Sequence, residues 1–287
     1  MVALGPIHAQ ELQDRGLRGK GVTVGLVGTG IDLNHPDFAN INIRAFSVPG
    51  VGNDTGDTFG HETGVAWVIS RIAPAARLIV VKVQANKDGY LSDVIDGCEI
   101  LRTAYVDIVN LSIATDGDAD GLDPIAREAD FLVNQGMIVV AAAGNKGPKK
   151  HSIGSPGAAK NVITVGKVDG RNFVTRDSSR GPTLDGRMKP DCVAPGVDIV
   201  AAVPLAMHAL HGLYNCTSFS APHVTGILAL LKEAYPHAKP ALLKQAIMET
   251  CTPVTTLFSF HPDPNTCGAG LVNGSKAYEW MQIYGLG

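Results

Sequence analysis

Three polar side chains in glycine-bearing segments are of the types needed for acyl transfer. His61 lies in DTFGHETGVAWVI, Ser218 in NCTSFSAPHVTGILALL and Asn145 in VVAAAGNKG. A serine hydroxyl is a weak nucleophile at neutral pH unless a neighbouring base takes its proton. A histidine supplies such a base, and an amide donor stabilises the oxyanion that forms. The three residues therefore predict nucleophilic catalysis if the fold brings them together.

Each of these residues also has an ordinary structural interpretation. Ser218 could cap a helix, His61 could hydrogen-bond a helix start, and Asn145 could close a turn after a strand. For any one of them alone, the structural role is the commoner one. Only their joint occurrence favours catalysis.

Short β-rich runs alternate with stretches of helical periodicity. The predicted strands cover 22–27, 78–83, 108–113, 138–143, 162–165 and 199–203, and the predicted helices cover 61–72, 91–103, 124–135 and a buried helix from Ser218 onward. This order predicts an α/β fold with a mainly parallel sheet and helices on both faces. Active sites of such folds form at the carboxyl ends of the strands. Ser218 would sit at a helix N-terminus, where partial positive charge favours a developing anion.

Composition narrows the functional classes. The chain has 287 residues, 45% of them hydrophobic, which suits a single domain over 1–287 with one large core. A net charge of −3 provides no strong positive electrostatic field that would bind nucleic acid or an anionic membrane. No apolar run approaches the roughly 20 residues of a membrane span, and no signal-peptide pattern opens the chain. We expect a soluble protein, either cytoplasmic or a secreted mature domain, whose oligomeric state the sequence leaves open.

The ordered segments resemble the subtilisin-like serine peptidases. GTGIDLNHPDF after an apolar strand is similar to the family's acid segment, GHETGVA to its histidine segment and TSFSAPHVTG to its serine segment. SIGSPGAAKNVITVG, SSRGPT, KPDCVAPG and GAGLVN extend the resemblance over nearly the whole chain. The resemblance implies a three-layer subtilisin-like fold, hydrolysis of peptide or protein substrates, and no cofactor for catalysis.

The resemblance also implies a role for each site residue. Ser218 would attack the peptide carbonyl, His61 would accept and return the proton, and Asn145 would donate to the oxyanion. Two extended segments would bind the substrate, namely Ser112, Ile113 and Ala114, and Ala142, Ala143 and Gly144.

Gly28 is the main departure, because it stands where the family keeps the aspartate of its triad. That acid fixes the histidine tautomer and stabilises the imidazolium, and its loss in a subtilisin lowers kcat by about 3 × 10⁴. The sequence therefore predicts a weakened endopeptidase, in which Gly28→Asp would raise kcat by about three to four powers of ten. The alternatives are a pseudopeptidase that binds peptides without turnover and a processing enzyme that cuts one partner.

Further departures surround the predicted site. Glu62, Gly64, Trp67 and Cys216 differ from the family pattern, as do residues 219–221. Such clustering indicates relaxed or redirected function, the alternative being that Gly28 alone is an introduced knockout of an active relative.

Three carboxylates lie near enough in sequence to replace the missing acid. Asp32 and Asp57 are expected to have turn and packing roles instead. Glu62 follows His61 directly on a helix and is expected to point away from the ring.

Two other features suggest ligands or crosslinks. The loop carrying Asp116, Asp118 and Asp120 resembles a calcium loop, although Arg127 stands where an EF-hand has glutamate. The same charges would alternatively favour basic substrate residues or form a solvated turn. Among five cysteines, Cys251 and Cys267 flank the insertion TPVTTLFSFHPDPNT, which makes a disulfide there one of two open expectations.

Overall fold

The computed structural model describes residues 3–84, 89–254 and 263–284. Its centre is a seven-stranded sheet of order β2-β3-β1-β4-β5-β6-β7 in which every neighbouring pair is parallel. The strands are β1 (Thr23–Gly28), β2 (Ile43–Ser47), β3 (Arg77–Lys82), β4 (Ile108–Leu111), β5 (Ile138–Ala142), β6 (Ile163–Val168) and β7 (Cys192–Pro195). A separate antiparallel ribbon joins β8 (Ile199–Ala202) to β9 (His211–Tyr214).

Helices cover both faces of the sheet, which confirms the predicted α/β fold. They are α1 (Ala9–Asp14), α2 (His61–Ile72), α3 (Leu91–Thr103), α4 (Pro124–Asn134), α5 (Thr217–Ala234), α6 (Pro240–Glu249), α7 (Pro264–Cys267) and α8 (Gly274–Tyr284). Buried side chains of α2 and α5 form one hydrophobic core with the sheet, and those of α3 and α4 form a second core on the opposite face. The sheet is thus the middle of three layers.

The predicted elements differ from the structure in a few places. Helices α2 and α3 have the predicted bounds, and α4 ends one residue earlier than expected. The strand predicted at 199–203 lies in the antiparallel ribbon and not in the parallel sheet. The edge strand β2 was not anticipated, because its half-exposed residues lack the apolar run of a central strand. The short strand β7 was also missed.

Two further predictions concern a disulfide bond and a membrane span. All five cysteines, including Cys251 and Cys267, are free, so the expected disulfide is not formed. The thiol of Cys251 instead interacts with Cys192 in β7. Residues 255–262, which make up most of the insertion between Cys251 and Cys267, lie outside the described residues. Within the described ranges, no helix combines the length and apolar character that a bilayer span needs.

Candidate active site

Ser218 is held at the N-terminus of α5. It is the second helical residue after the cap Cys216, so its backbone N–H belongs to the first turn, which lacks intrahelical acceptors. Pro222 lies in the second turn, and it has no N–H to donate to the carbonyl of Ser218. The hydroxyl of Ser112 donates to that carbonyl instead, at 2.7 Å. The segment after β4 is thereby tied to the turn that carries the nucleophile candidate.

His61 is the first residue of α2, and the preceding loop fixes its position. The buried carboxylate of Asp57 accepts from the backbone N–H of Phe59 at 2.9 Å, of Gly60 at 2.7 Å and of Thr63 at 3.0 Å. It also accepts from the hydroxyl of Thr63 at 2.8 Å. Gly60 has φ of 85°, the left-handed region that favours glycine. The expected turn role of Asp57 is confirmed.

The serine and histidine candidates share one neighbourhood. Phe219, which follows Ser218, presents its ring edge-on to His61 with centroids 5.8 Å apart. Tyr214 stacks on Phe219 with centroids 4.0 Å apart, and its hydroxyl donates to the carbonyl of Gly60 at 2.8 Å. The thiol of Cys216 interacts with the side chains of both His61 and Ser218. The two helix N-termini therefore meet around this thiol and the aromatic pair.

Asn145 lies beside the same helix N-terminus. It follows β5, and its Oδ1 accepts from the backbone N–H of Thr217 at 3.0 Å. The Thr217 hydroxyl in turn accepts from the backbone N–H of Gly144 at 3.2 Å. Because Oδ1 is engaged, the amide nitrogen of Asn145 is the end of this exposed side chain that can donate to an oxyanion. Asn145 thus lies next to the residue that precedes Ser218, close to the position expected for it.

Glu62 lies between the end of β1 and His61. Its side chain is fully buried, and Oε2 lies 3.5 Å from Nδ1 of His61. A Cβ added to Gly28, the last residue of β1, would lie 2.6 Å from Cδ of Glu62 and closer still to Oε2. The expectation that Glu62 points away from the ring is wrong. The first turn of α2, which begins at His61, rests over the end of β1. The backbone N–H of Glu62 in this turn donates to the hydroxyl of Thr29, directly after β1, at 3.1 Å.

Asp32 has a structural role, as expected. One carboxylate oxygen accepts from the backbone N–H of Asn34 at 3.0 Å, and the other accepts from that of Leu205 at 2.8 Å. Its own backbone N–H donates to the Thr63 hydroxyl at 3.1 Å. These bonds join the turn after β1 to α2 and to the segment before β9.

The electrostatics of the site follow from burial and from two acidic neighbours. Burial lowers the pKa of His61, but the interactions with the side chains of Cys216 and Glu62 outweigh it and raise the pKa to about 10. Burial raises the pKa of Glu62, an effect that the nearby imidazolium opposes. Burial also acts to raise the pKa of Cys216, yet its contacts with His61 and Ser218 lower it overall. Both acidic neighbours thus favour the protonated form of the imidazole.

Two of the other departures from the family pattern are packing adjustments. A Cβ on Gly64 would lie 2.9 Å from the Phe219 ring, so the small residue on α2 makes room for the large one on α5. The indole N–H of Trp67 donates to Asp37 at 2.6 Å, and the same carboxylate is 2.9 Å from Nε2 of His211. The substituted positions are therefore matched to their neighbours.

One of the two expected substrate segments borders a cleft. Ser112 is buried, Ile113 is half-buried and Ala114 is exposed. Ile113 and Ala114 line a cavity of about 470 Å³ together with Tyr90 and Leu91 of the opposite wall. The other expected segment is more enclosed. It consists of Ala142, Ala143 and Gly144, all of them buried.

A larger cavity of about 650 Å³ lies at the other end of α5, around Tyr235 and Leu242. Ser218 and Tyr235 are separated by almost the whole helix, which rises about 1.5 Å per residue. Ile113 and Ala114 of the smaller cleft follow Ser112, whose hydroxyl donates to the Ser218 carbonyl, so we associate that cleft with the candidate site.

The acidic loop after the substrate segment has separate partners for its carboxylates. Asp116 pairs with Lys146 at 2.9 Å, and Asp120 accepts from the backbone N–H of Leu122 at 2.8 Å. Asp118 has a left-handed backbone with φ of 53°. Calcium binding by this loop stays a prediction.

One histidine and carboxylate group has metal-ligand spacing among the described residues, namely His35, Asp37 and His211. Both ring nitrogens of His35 are already engaged, since Nδ1 accepts from the backbone N–H of Asp37 at 3.2 Å and Nε2 donates to the carbonyl of Leu210 at 2.8 Å. The hydrogen bonds account for this group without an ion.

A serine and a histidine at facing helix N-termini, an amide donor and an adjoining cleft on a three-layer α/β fold are features of a serine peptidase. A family model described as the subtilase family matches residues 19–270. The chain therefore belongs to the subtilase family, whose members hydrolyse peptide or protein substrates.

Individual relatives agree with this assignment. The chain is 32% identical to serine protease AprX of Bacillus subtilis (strain 168), over 94% of this chain and 69% of that protein. It is 31% identical to subtilisin of Bacillus pumilus, over 94% of this chain and 96% of that protein. Among solved structures, the prenylagaramide maturation protease PagA matches with a TM-score of 0.78 and 25% identity, covering 94% of this chain and 97% of that one.

Proposed function

We propose that this protein is a serine endopeptidase in which Ser218 is the nucleophile, His61 the general base and Asn145 an oxyanion donor. The observation that carries the proposal is the convergence of all three at the N-terminus of α5. Ser112 bonds the Ser218 carbonyl there, Asn145 accepts from Thr217, and the ring of Phe219 contacts that of His61. A helix N-terminus favours the negative charge that develops during acyl transfer.

In each half-reaction of the proposed mechanism, His61 takes one proton and gives it back. As Oγ of Ser218 bonds to the substrate carbonyl carbon, His61 takes the hydroxyl proton. The carbonyl oxygen gains negative charge, which the amide nitrogen of Asn145 and the positive end of the α5 dipole stabilise. His61 then gives its proton to the leaving amine, and water releases the acyl group by the same steps. Whether the missing aspartate at position 28 weakens this reaction depends on what Glu62 does.

A fluorophosphonate probe tests for the nucleophile without knowledge of the substrate. Labelling is expected in the wild-type protein and should vanish in Ser218→Ala. Ser220→Ala is the matched control, since that serine lies on the same helix but is fully buried. No labelling of a folded wild-type sample would overturn the proposal and favour a pseudopeptidase that only binds peptides.

A selective processing activity is a second candidate. The structural neighbour PagA is described as a maturation protease, and its chain is covered almost completely. A peptide library with mass-spectrometric detection distinguishes the two candidates: cleavage within a narrow sequence context supports processing, and cleavage in many contexts supports general digestion.

A further inference from the structure

A serine peptidase of this type needs a carboxylate on the Nδ1 side of its histidine. The carboxylate keeps the ring in the tautomer that can accept the serine proton, and it stabilises the imidazolium that results. Strand β1 ends at Gly28 and presents no carboxylate there. The carboxylate nearest to His61 comes from α2, where Oε2 of Glu62 lies 3.5 Å from Nδ1.

We propose that Glu62 is the acid of this site, a positioning residue that acts through His61 from the neighbouring place on α2 instead of from the end of β1. The inference rests on the proposed serine endopeptidase function. It replaces the expectation that Gly28 leaves the histidine without an acid.

The burial of Glu62 is the first support. The side chain has no exposed surface, and within the described part of the chain neither carboxylate oxygen has a hydrogen-bond partner. A buried carboxylate without partners is costly, so such a group calls for a functional or electrostatic explanation. The only ion pair that the described residues give Glu62 is the one with His61. The separation exceeds an ordinary hydrogen bond, but catalytic hydrogen bonds are often long before substrate binds.

The space above Gly28 is the second support. Because a Cβ there would fall 2.6 Å from Cδ and 3.0 Å from Cγ of Glu62, the glutamate side chain fits only if residue 28 is glycine. The loss of the acid from β1 and the arrival of one on α2 are therefore one coupled change. A glycine left by simple decay would not require a buried glutamate pressed against it.

The other carboxylates in reach are committed elsewhere. Asp57 accepts four hydrogen bonds from the turn and from Thr63, and Asp32 caps two backbone N–H groups. Glu62 is thus the carboxylate left for the ring. The titratable groups around the pair are Cys216 from the N-terminus of α5, Tyr214 from β9, and Asp57, whose charge acts on Glu62.

The proton inventory balances with Glu62 in this role. Nε2 of His61 takes the proton of Ser218 as the new carbon–oxygen bond forms, while Nδ1–H remains on the ring and points at Oε2 of Glu62. The ring then carries one positive charge beside one carboxylate. When Nε2 gives its proton to the leaving amine, the carbon–nitrogen bond breaks and the ring is neutral again.

The first experiment replaces the carboxylate with an amide of the same size. Glu62→Gln should lower kcat by about 10⁴-fold with a smaller change in KM, which is the cost of removing a triad acid in such enzymes. The acidic limb of the kcat/KM profile should also move to lower pH, because loss of the negative charge lowers the pKa of His61. A structural role alone would leave that limb in place.

The second experiment moves the acid back to β1. Glu62→Gly removes the carboxylate and opens the space, so the double variant Glu62→Gly/Gly28→Asp should recover at least about 10²-fold of the kcat that Glu62→Gly loses, out of the roughly 10⁴ at stake. Gly28→Asp alone should not raise kcat, because Glu62 fills the space. Circular dichroism and thermal melting check that each variant is folded.

The results separate this inference from the endopeptidase proposal. Wild-type turnover that persists unchanged in folded Glu62→Gln, with an unmoved pH profile, overturns the role of Glu62 and leaves Ser218 and His61 intact. Absence of fluorophosphonate labelling in the wild type overturns the endopeptidase itself. In that case the NMR titration of His61 still decides the pairing: a pKa that falls in Glu62→Gln supports it, and an unchanged pKa refutes it.

Discussion

Adding a single carbon atom to Gly28 should inactivate the protein. Gly28 is not in the left-handed region, so its backbone accepts alanine without strain, and only the side-chain methyl matters. That methyl would lie 2.6 Å from Cδ of Glu62, closer than side-chain carbons are found in proteins. The Glu62 carboxylate must therefore move away from β1, and we expect this displacement to break its contact with His61.

Two magnitudes follow. Overpacking of a well-filled interior costs about 1–3 kcal/mol of unfolding free energy. Separating the carboxylate from His61 lowers kcat by about 10⁴-fold, which corresponds to about 5 kcal/mol of transition-state stabilisation. The loss of activity should thus be much larger than the loss of stability explains, since a protein that loses 1–3 kcal/mol still folds in most cases.

Steady-state cleavage of a peptide substrate and thermal denaturation measure the two effects on the same sample of Gly28→Ala. Gly170→Ala is the matched control, because a Cβ on Gly170 meets nothing within 4 Å. The reasoning is refuted if Gly28→Ala keeps wild-type kcat in the folded state. It is also refuted if the double variant Glu62→Gly/Gly28→Ala, which has room for the methyl, is less stable than Glu62→Gly.

Three further outcomes test other parts of the site. Cys216→Ala removes one of the interactions that raise the pKa of His61. The acidic limb of kcat/KM, which needs the neutral imidazole, should therefore move to lower pH, and an unmoved limb would contradict the contact. Asn145→Ala should lower kcat by about 10²–10³-fold with little change in KM in a steady-state assay. A rise in KM as large as the fall in kcat would argue against an oxyanion role. Gly64→Ala should lower the free energy of unfolding by about 1–3 kcal/mol in urea denaturation, and Phe219→Leu should relieve it, since the added Cβ meets that ring at 2.9 Å.

The substitutions around the site are coupled through space. Glu62 fits against Gly28, and Phe219 fits over Gly64, so in both cases a large residue on one element faces a glycine on another. Tyr214 from the ribbon completes the second pair by stacking on Phe219. Such matched changes favour a redirected site over a decayed one, because random loss would not preserve close packing.

The sequence by itself determined the fold class and pointed to the candidate site residues. Alternating buried strands and amphipathic helices leave few arrangements other than a parallel sheet covered on both faces. The spaced segments around His61, Asn145 and Ser218 indicated which residues converge at the carboxyl ends of the strands. Local patterns carry this information because burial periodicity and helix capping act over a few residues.

Only the tertiary structure decided which carboxylate faces the histidine. Along the helix, Glu62 is adjacent to His61, and neighbours in that spacing do not normally face each other. The first turn of α2 rests over the end of β1, however, and the empty side-chain position of Gly28 admits the glutamate from an element 34 residues away in sequence. Contacts of this kind depend on how two distant elements fill one shared volume, which no local pattern in the sequence records.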